Sequence, residues 1–225
     1  MYLNIDESAI FIADSHYNLN KDKLKEILFN IKLKKIDTKQ LFLMGDIFDF
    51  LSDDISYFQK QNKNIIDLIN DLSSQIEVIY LEGNHDFNLN LTFPNILVIS
   101  REYQPLLCKL NNQKIALAHG DIFMPKSYEF FTNFIRSQAT GKILNLLDIN
   151  NFIFKKLDLW LLNKNICEDM KDFNNFAQNR INLYQKKYDI DIIIEAHYHQ
   201  DKRYKNYINL PSLFCNKKYF SAKEI

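Results

Sequence analysis

Residues 41–50 read LFLMGDIFDF. Apolar residues run directly into Gly45-Asp46, and a second acid, Asp49, follows three positions later. A continuous apolar run of this length fits a strand buried on both faces of a parallel sheet. Gly45 lets the backbone turn sharply where the strand ends. Asp46 then stands at the carboxyl edge of the sheet, where open α/β folds place their ligands. One such strand end decides little, since any strand can end in an acid. Its recurrence along the chain decides the fold class.

Upstream, residues 9–13 form an apolar run ending in Asp14-Ser15-His16. Residues 21–34 carry Leu24, Ile27, Leu28 and Ile31 at helical spacing, and residues 64–74 repeat the pattern with Ile65, Leu68, Ile69 and Leu72. Residues 77–81 are the next expected strand, ending in Glu82-Gly83-Asn84-His85-Asp86. Strand, helix, strand, helix, strand argues for an α/β fold with parallel pairing. Downstream, 96–99, 106–110 and 114–118 read as strands, with a tight turn at Asn111-Asn112. The last of them ends in His119-Gly120-Asp121. Residues 191–195 read as a strand ending in Ala196-His197-Tyr198-His199, and 204–210 and 212–215 as closing strands. No repeat or low-complexity linker divides the sequence, so residues 1–225 are expected to form one domain.

The 225 residues carry a formal net charge of zero, with 47% hydrophobic and 25% charged residues. That balance is ordinary for a soluble globular protein and offers no global attraction for nucleic acid. No run of ~18 uncharged apolar residues predicts a spanning helix, and the first residues lack the pattern of a signal peptide. The three cysteines, Cys108, Cys167 and Cys215, match neither a disulfide framework nor a CxxC zinc site. A reducing, cytoplasmic setting is the resulting expectation.

All five histidines, His16, His85, His119, His197 and His199, lie in loops directly after expected strands. Strand-end loops also hold Asp14, Asp46 with Asp49, Asn84 with Asp86, and Asp121. A lone loop histidine is most often merely solvated. Five at the edges of one parallel-type sheet would converge on a single crevice. Imidazole mixed with carboxylate suits Mn, Fe or Zn, whereas magnesium and calcium sites use oxygen ligands alone. The absence of cysteine from the cluster argues against a structural zinc site. The ligands exceed the needs of one ion. Two ions ~3.5–4 Å apart, sharing a carboxylate, would use them and could clamp both oxygens of a phosphoryl transfer.

In this order, DxH at 14–16, GDxxD at 45–49, GNHD at 83–86, HGD at 119–121 and HxH at 197–199 resemble the calcineurin-like metallophosphoesterases. The resemblance implies a sandwich of two mixed sheets flanked by helices. It implies one divalent transition-metal ion on Asp14, His16, Asp46 and His199 and a second on Asp46, Asn84, His119 and His197, with Asp46 bridging and manganese the expected element. His85 would face the phosphate without binding metal, with Asp49 as its hydrogen-bond partner. Ala196 departs from the family, which usually has glycine before the final HxH.

Residues 122–187 separate the last two motifs and hold eight of the 18 phenylalanines and the only tryptophan. Helices are expected near 128–137, 142–162 and 168–187. Ten Lys/Arg stand against six Asp/Glu in this insert. Such helices could simply pack on the sheet, or could form an apolar, basic lid suited to an amphipathic anionic lipid. A helical insert after HGD, at this chain length, is similar to the UDP-2,3-diacylglucosamine pyrophosphatases of lipid A biosynthesis. That resemblance implies a UDP-linked glycolipid substrate and peripheral attachment to an anionic inner-membrane surface, with no nucleic-acid partner. The alternatives are a soluble phosphodiesterase or phosphatase acting on a nucleotide or phosphoprotein, and a binding scaffold without chemistry.

Overall fold

Each long apolar run becomes a strand whose two faces enter different cores. The computed structural model describes residues 2–18, 22–163 and 165–225. The chain begins with β1 (Leu3–Asn4), β2 (Ile10–Ile12), α1 (Lys23–Lys32) and β3 (Gln40–Leu43). Next come β4 (Leu51–Ser52), α2 (Ser56–Gln61), α3 (Lys63–Ser73), β5 (Glu77–Leu81), β6 (Asp86–Phe87) and β7 (Leu97–Ile99). The hairpin of β8 (Leu106–Leu110) and β9 (Gln113–Ala118) precedes α4 (Lys126–Ile135), α5 (Gln138–Leu147), α6 (Phe152–Leu162) and α7 (Phe173–Gln185). The chain closes with β10 (Ile192–Glu195), β11 (Lys202–Tyr204), β12 (Tyr207–Asn209), α8 (Leu213–Asn216) and β13 (Phe220–Ser221). The expected start of the first helix, Lys21, lies outside the described residues.

One sheet has the order β13-β2-β3-β5-β7 and is parallel except at β13. The other, β1-β8-β9-β10-β12-β11, is mixed. Phe11, Phe42 and Ile79 point into the space between the sheets, against Ile115, Leu117 and Ile194. Their chain neighbours Ile10, Leu41, Leu43 and Val78 point the other way, onto α1 and α3. With both faces covered, the period-two alternation of a half-exposed strand disappears and the sequence reads as unbroken apolar runs. The sandwich flanked by helices is therefore the expected fold.

Burial of one face holds the flanking helices. In α3 no side chain caps the N-terminus, but Ile65, Ile66, Leu68, Ile69 and Leu72 are buried. Full burial contributes roughly 1.5–3 kcal/mol per such residue, against about 1 kcal/mol for a cap. α7 covers the outer face of the second sheet, placing Phe173, Ala177, Ile181 and Tyr184 on Ala116, Ile193 and Tyr207. Of the insert, α4–α6 remain, and α5 and α6 pack through Leu144, Phe154 and Leu157 against Ile55 and Phe58.

Several elements differ from expectation. The strand expected over 204–210 is a hairpin of β11 and β12 that turns between Tyr204 and Tyr207, and the helix expected over 168–187 begins only at Phe173 as α7. The helix expected over 142–162 breaks after α5, where Asn150 and Asn151 take left-handed backbone. Asp148 accepts hydrogen bonds from the Ile153 and Phe154 amides at 2.7 and 3.0 Å and so starts α6 afresh. The strand expected at 212–215 is instead the start of α8, capped by the Ser212 hydroxyl, which accepts from the Cys215 amide at 3.1 Å. The cysteines also differ from expectation: Cys167 and Cys215, 48 residues apart, form a disulfide, and Cys108 is buried and free. Among the described residues no helix is long and apolar enough to cross a membrane.

Candidate active site

The carboxyl ends of β2, β3 and β5 from one sheet and of β9 and β10 from the other open on one edge of the sandwich. There the chain delivers Asp14 and His16, Asp46, Asn84 and His85, His119, and His197 and His199. Asp14, Asp46 and His119 are buried. Five of these residues take left-handed backbone: Asp14 at φ 49°, His16 at 43°, Asp46 at 51°, His197 at 65° and His199 at 57°. That conformation costs a residue with a Cβ roughly 1–2 kcal/mol. Such a concentration of strain at one edge marks a site whose geometry outranks local stability. Two glycines let the loops touch. A Cβ at Gly45 would lie 2.4 Å from His119 Nδ1, and one at Gly83 would lie 2.3 Å from Asp46 Oδ1. Ala196, at the family's glycine position, keeps ordinary negative φ and fits without strain.

The donors form three overlapping groups, Asp14–His16–His199, His16–Asp46–His85 and Asp46–His119–His197, each with its ligand atoms within 4.8 Å of one another. Asp46 stands between the two halves, with Oδ1 3.6 Å from His119 Nε2 and Oδ2 4.0 Å from His16 Nε2. His199 Nε2 is 3.2 Å from Asp14 Oδ1, and His119 Nε2 is 3.2 Å from Asn84 Oδ1. Backbone carbonyls hold the other nitrogens. His119 Nδ1 donates to Met44 O at 2.9 Å, His199 Nδ1 to Ile166 O at 2.8 Å and His85 Nδ1 to Asp49 O at 2.7 Å. A ring fixed this way turns its Nε2 inward, the usual support for a metal-binding histidine. This set of imidazole, carboxylate and amide oxygen, without thiolate, fits divalent transition ions.

Charge is focused on the same atoms. Burial pushes the Asp46 carboxyl up, but the surrounding His119, His85, His16 and His197 more than reverse this and hold it below the ordinary carboxylate range. At Asp14 burial is likewise overcome, chiefly by His199. Burial lowers His119, yet Asp46, Asp121 and Asp14 drive it up to about 9. Burial and the neighbouring His119 bring His197 down to about 4. The edge is thus a nest of carboxylates demanding positive charge. The crevice over it, about 480 Å³, is lined by His16, Asp46, Asn84, His85 and His197 and by Asn165, Ile166 and residues 168–170.

One partner differs from expectation. The Asp49 carboxylate does not hold His85; only its backbone carbonyl does. The carboxylate accepts from Asn18 and lies 3.6 Å from His16 Nδ1. The backbone turn that aims the 45–49 loop leaves its carbonyl, not its side chain, on the His85 side.

The residues that hold these loops from behind are not among the expected ligands. Asp86, fully buried, gathers the amides of Asp46, Ile47, Phe48 and Gly83 and the Tyr80 hydroxyl. Its place in GNHD was the available signal. Arg136, just past α4, donates to Gly83 O at 2.9 Å and pairs with Glu82. Arg101 joins Asp121 to Glu129 of α4. Neither arginine lies in a motif, so nothing in the sequence singles it out. Together they fasten α4 to the loops that carry Asn84 and His119.

The family model for calcineurin-like phosphoesterases matches residues 8–201. Similar proteins include the UDP-2,3-diacylglucosamine hydrolase of Blochmanniella pennsylvanica (strain BPEN), 25% identical over 237 residues and spanning 97% of this chain and 92% of that one. Its counterpart in Vibrio atlanticus (strain LGP32) is 21% identical over 200 residues, spanning 84% and 80%. A solved Aquifex aeolicus protein of unknown function aligns over 96% of each chain with a TM-score of 0.49 and 16% identity. A match that runs from before Asp14 to past His199 takes in all five strand-end motifs, and this chain belongs to the calcineurin-like phosphoesterase family of metal-dependent hydrolases.

Proposed function

We propose that this chain hydrolyses the pyrophosphate of UDP-2,3-diacylglucosamine, releasing UMP and 2,3-diacylglucosamine 1-phosphate for lipid A biosynthesis. On this reading Asp14, His16, Asp46 and His199 hold one divalent ion, and Asp46, Asn84, His119 and His197 hold the other. Manganese is the preferred element. The bound ions supply Lewis-acid charge and a water of lowered pKa.

The chain's own groups do the rest. Hydrogen bonding of His85 Nδ1 to Asp49 O leaves Nε2 for the crevice. There it hydrogen-bonds a phosphoryl oxygen and steadies the charge that builds at phosphorus. Asp49, through its carboxylate beside His16, orients that ring. Asp86 fixes the amides on which Asp46 rides.

The observation that carries the substrate class is the apolar surface of α4–α6, fastened to the site through Arg136. Phe130, Phe131, Leu146, Ile149, Phe152 and Trp160 are each 60–83% exposed. A patch of this kind is unusual on a protein that meets only water. Beneath the same helices an enclosed apolar cavity of about 100 Å³ is lined by Phe50, Phe87, Ile135, Leu144, Phe154 and Leu157. Phe50 and Phe87 directly follow Asp49 and Asp86 in the site loops. Acyl chains would lie with α4–α6 and the uridine end over the open metal edge. The names of the similar Blochmanniella and Vibrio proteins point to the same substrate. The apolar surface, with six Lys/Arg against two Asp/Glu over residues 200–225, supports peripheral attachment to the cytoplasmic leaflet of an inner membrane.

Hydrolysis in ¹⁸O-water with Mn²⁺ and detergent micelles tests this reading. Label in UMP supports attack at the uridine-side phosphorus. Label confined to the lipid phosphate would move the attack to the other phosphorus. Formation of neither product would end the substrate assignment.

A further inference from the structure

The disulfide sits against the metal edge. Cys215 Sγ is 3.9 Å from His199 Nδ1, and Cys167 directly follows Ile166, whose carbonyl accepts the His199 Nδ1 hydrogen at 2.8 Å. The two cysteines are held very differently. Cys215 belongs to α8, which is built onto the Asp14 loop. The Leu213 amide donates to Ala13 O at 2.8 Å, the Phe214 amide to Asp14 O at 3.1 Å, and the Ser212 hydroxyl to Asp14 O at 2.9 Å. Cys167 is exposed and lies in the stretch 165–170, which contains no helix or strand. Gln200 ties the far end of that stretch, accepting from the Met170 amide and donating to Glu168 O. Near Ile166 the covalent bond is the strong tie. It fixes the carbonyl that orients His199 relative to the loop that carries Asp14, and those two side chains stand 3.2 Å apart.

We propose that the Cys167–Cys215 disulfide is the positioning element for His199, so that the affinity for one of the two divalent ions depends on the redox state of this pair. The proposal rests on the reading of His199 as a metal ligand. With the bond closed, Ile166 O keeps the hydrogen on Nδ1 and the lone pair on Nε2, the form a metal needs. With the bond open, residues 165–167 can drift and His199 loses its fixed tautomer and direction. Partners of this kind, standing behind a ligand, change metal affinity by about 10–100-fold when removed.

The chemistry is a two-electron exchange. A phosphine reductant cleaves the S–S bond, takes up the oxygen of a water molecule as phosphine oxide, and leaves the two water hydrogens on the two sulfurs. Glutathione disulfide reverses this by two thiol–disulfide exchanges, accepting both electrons and both protons as two molecules of glutathione. Cys167 is an exposed residue, the side from which both reagents would approach.

The test uses the full chain. Alkylation after denaturation without reductant should label Cys108 alone, and after reduction all three cysteines. Mn²⁺ is then titrated calorimetrically into metal-free protein, oxidised and reduced, with the phosphine removed. Reduction should weaken one of the two ions by about 10–100-fold and leave the other within a few-fold. Glutathione disulfide should restore it. The Cys167→Ser/Cys215→Ser protein should bind that ion weakly and ignore both reagents. Equal affinities in the two states would overturn the proposal, as would three labelled thiols without reduction. An equal loss at both ions with a lower melting temperature would mean general loosening and would overturn it too. Failure of the oxidised protein to bind either ion would instead remove the ligand assignment, and the proposal with it.

Discussion

Asp86→Asn tests how the site loops are held. The Asp86 carboxylate is fully buried, and each of its oxygens faces two backbone amides. Oδ1 accepts from Asp46 and Gly83, both at 2.9 Å; Oδ2 accepts from Ile47 at 2.6 Å and Phe48 at 3.3 Å, and from the Tyr80 hydroxyl at 2.6 Å. Burial, and next the Asp46 charge, push this carboxyl up, while the hydrogen bonds from the Tyr80 hydroxyl and the Gly83 amide favour its charged form. An asparagine keeps one oxygen. Whichever way its amide is turned, an NH₂ group meets two N–H donors that cannot turn away. A buried donor without a partner costs about 1–3 kcal/mol, so two cost about 2–6 kcal/mol. At ~4 kcal/mol, and about 2–4 °C per kcal/mol for a chain of this size, the melting temperature should fall by roughly 8–16 °C. Thermal unfolding of the metal-free variant by circular dichroism measures this directly. Turnover assayed well below the transition should also drop, because Asp46 and Asn84 ride on the same amides. A fall of less than about 3 °C would refute the reasoning, since the loops would then be held by something other than this carboxylate.

His85→Ala should lower turnover by roughly 10²–10⁴-fold with two ions still bound, as read by plasma mass spectrometry; loss of an ion would make His85 a ligand. In Arg136→Ala the Glu82 carboxyl, already raised to about 7 chiefly by burial, loses its partner. Urea unfolding should register a loss of about 3–5 kcal/mol, part of it recovered in Arg136→Ala/Glu82→Gln. Leu146→Glu with Ile149→Glu, at positions 83% and 77% exposed, should leave stability within about 1 kcal/mol and abolish sedimentation with anionic vesicles. Retained binding would place the membrane face elsewhere. Both His119 nitrogens face acceptors in the metal-free protein, and its pKa near 9 means that it carries a proton at pH 7.5. Metal binding should therefore expel about one proton there, seen as a dependence of the binding heat on buffer ionisation enthalpy, and should tighten as pH rises toward 9.

The frame, and the edge where the candidate ligands gather, were legible because burial on both faces writes long apolar runs, and the loops that follow them carry those residues. The stretch from Leu41 to Leu43, followed by Gly45-Asp46, reads correctly for that reason. What escaped depends on contacts that local pattern does not encode. α2 buries only Phe58, too little for a periodic signal. Ser212 looks like the start of a strand until its hydroxyl is seen to cap a helix. The family resemblance pairs Asp49 with His85 but does not say whether carbonyl or carboxylate makes the bond. The 48 residues between Cys167 and Cys215, and the wide separation of Arg136 from Glu82, are closed only by the folded chain.

The most direct test of the central claim is anomalous scattering from a crystal soaked in manganese. Two ions sharing Asp46 predict two peaks flanking its carboxylate, one beside Asp14, His16 and His199 and the other beside Asn84, His119 and His197. A single peak, or none near Asp46, would contradict the account.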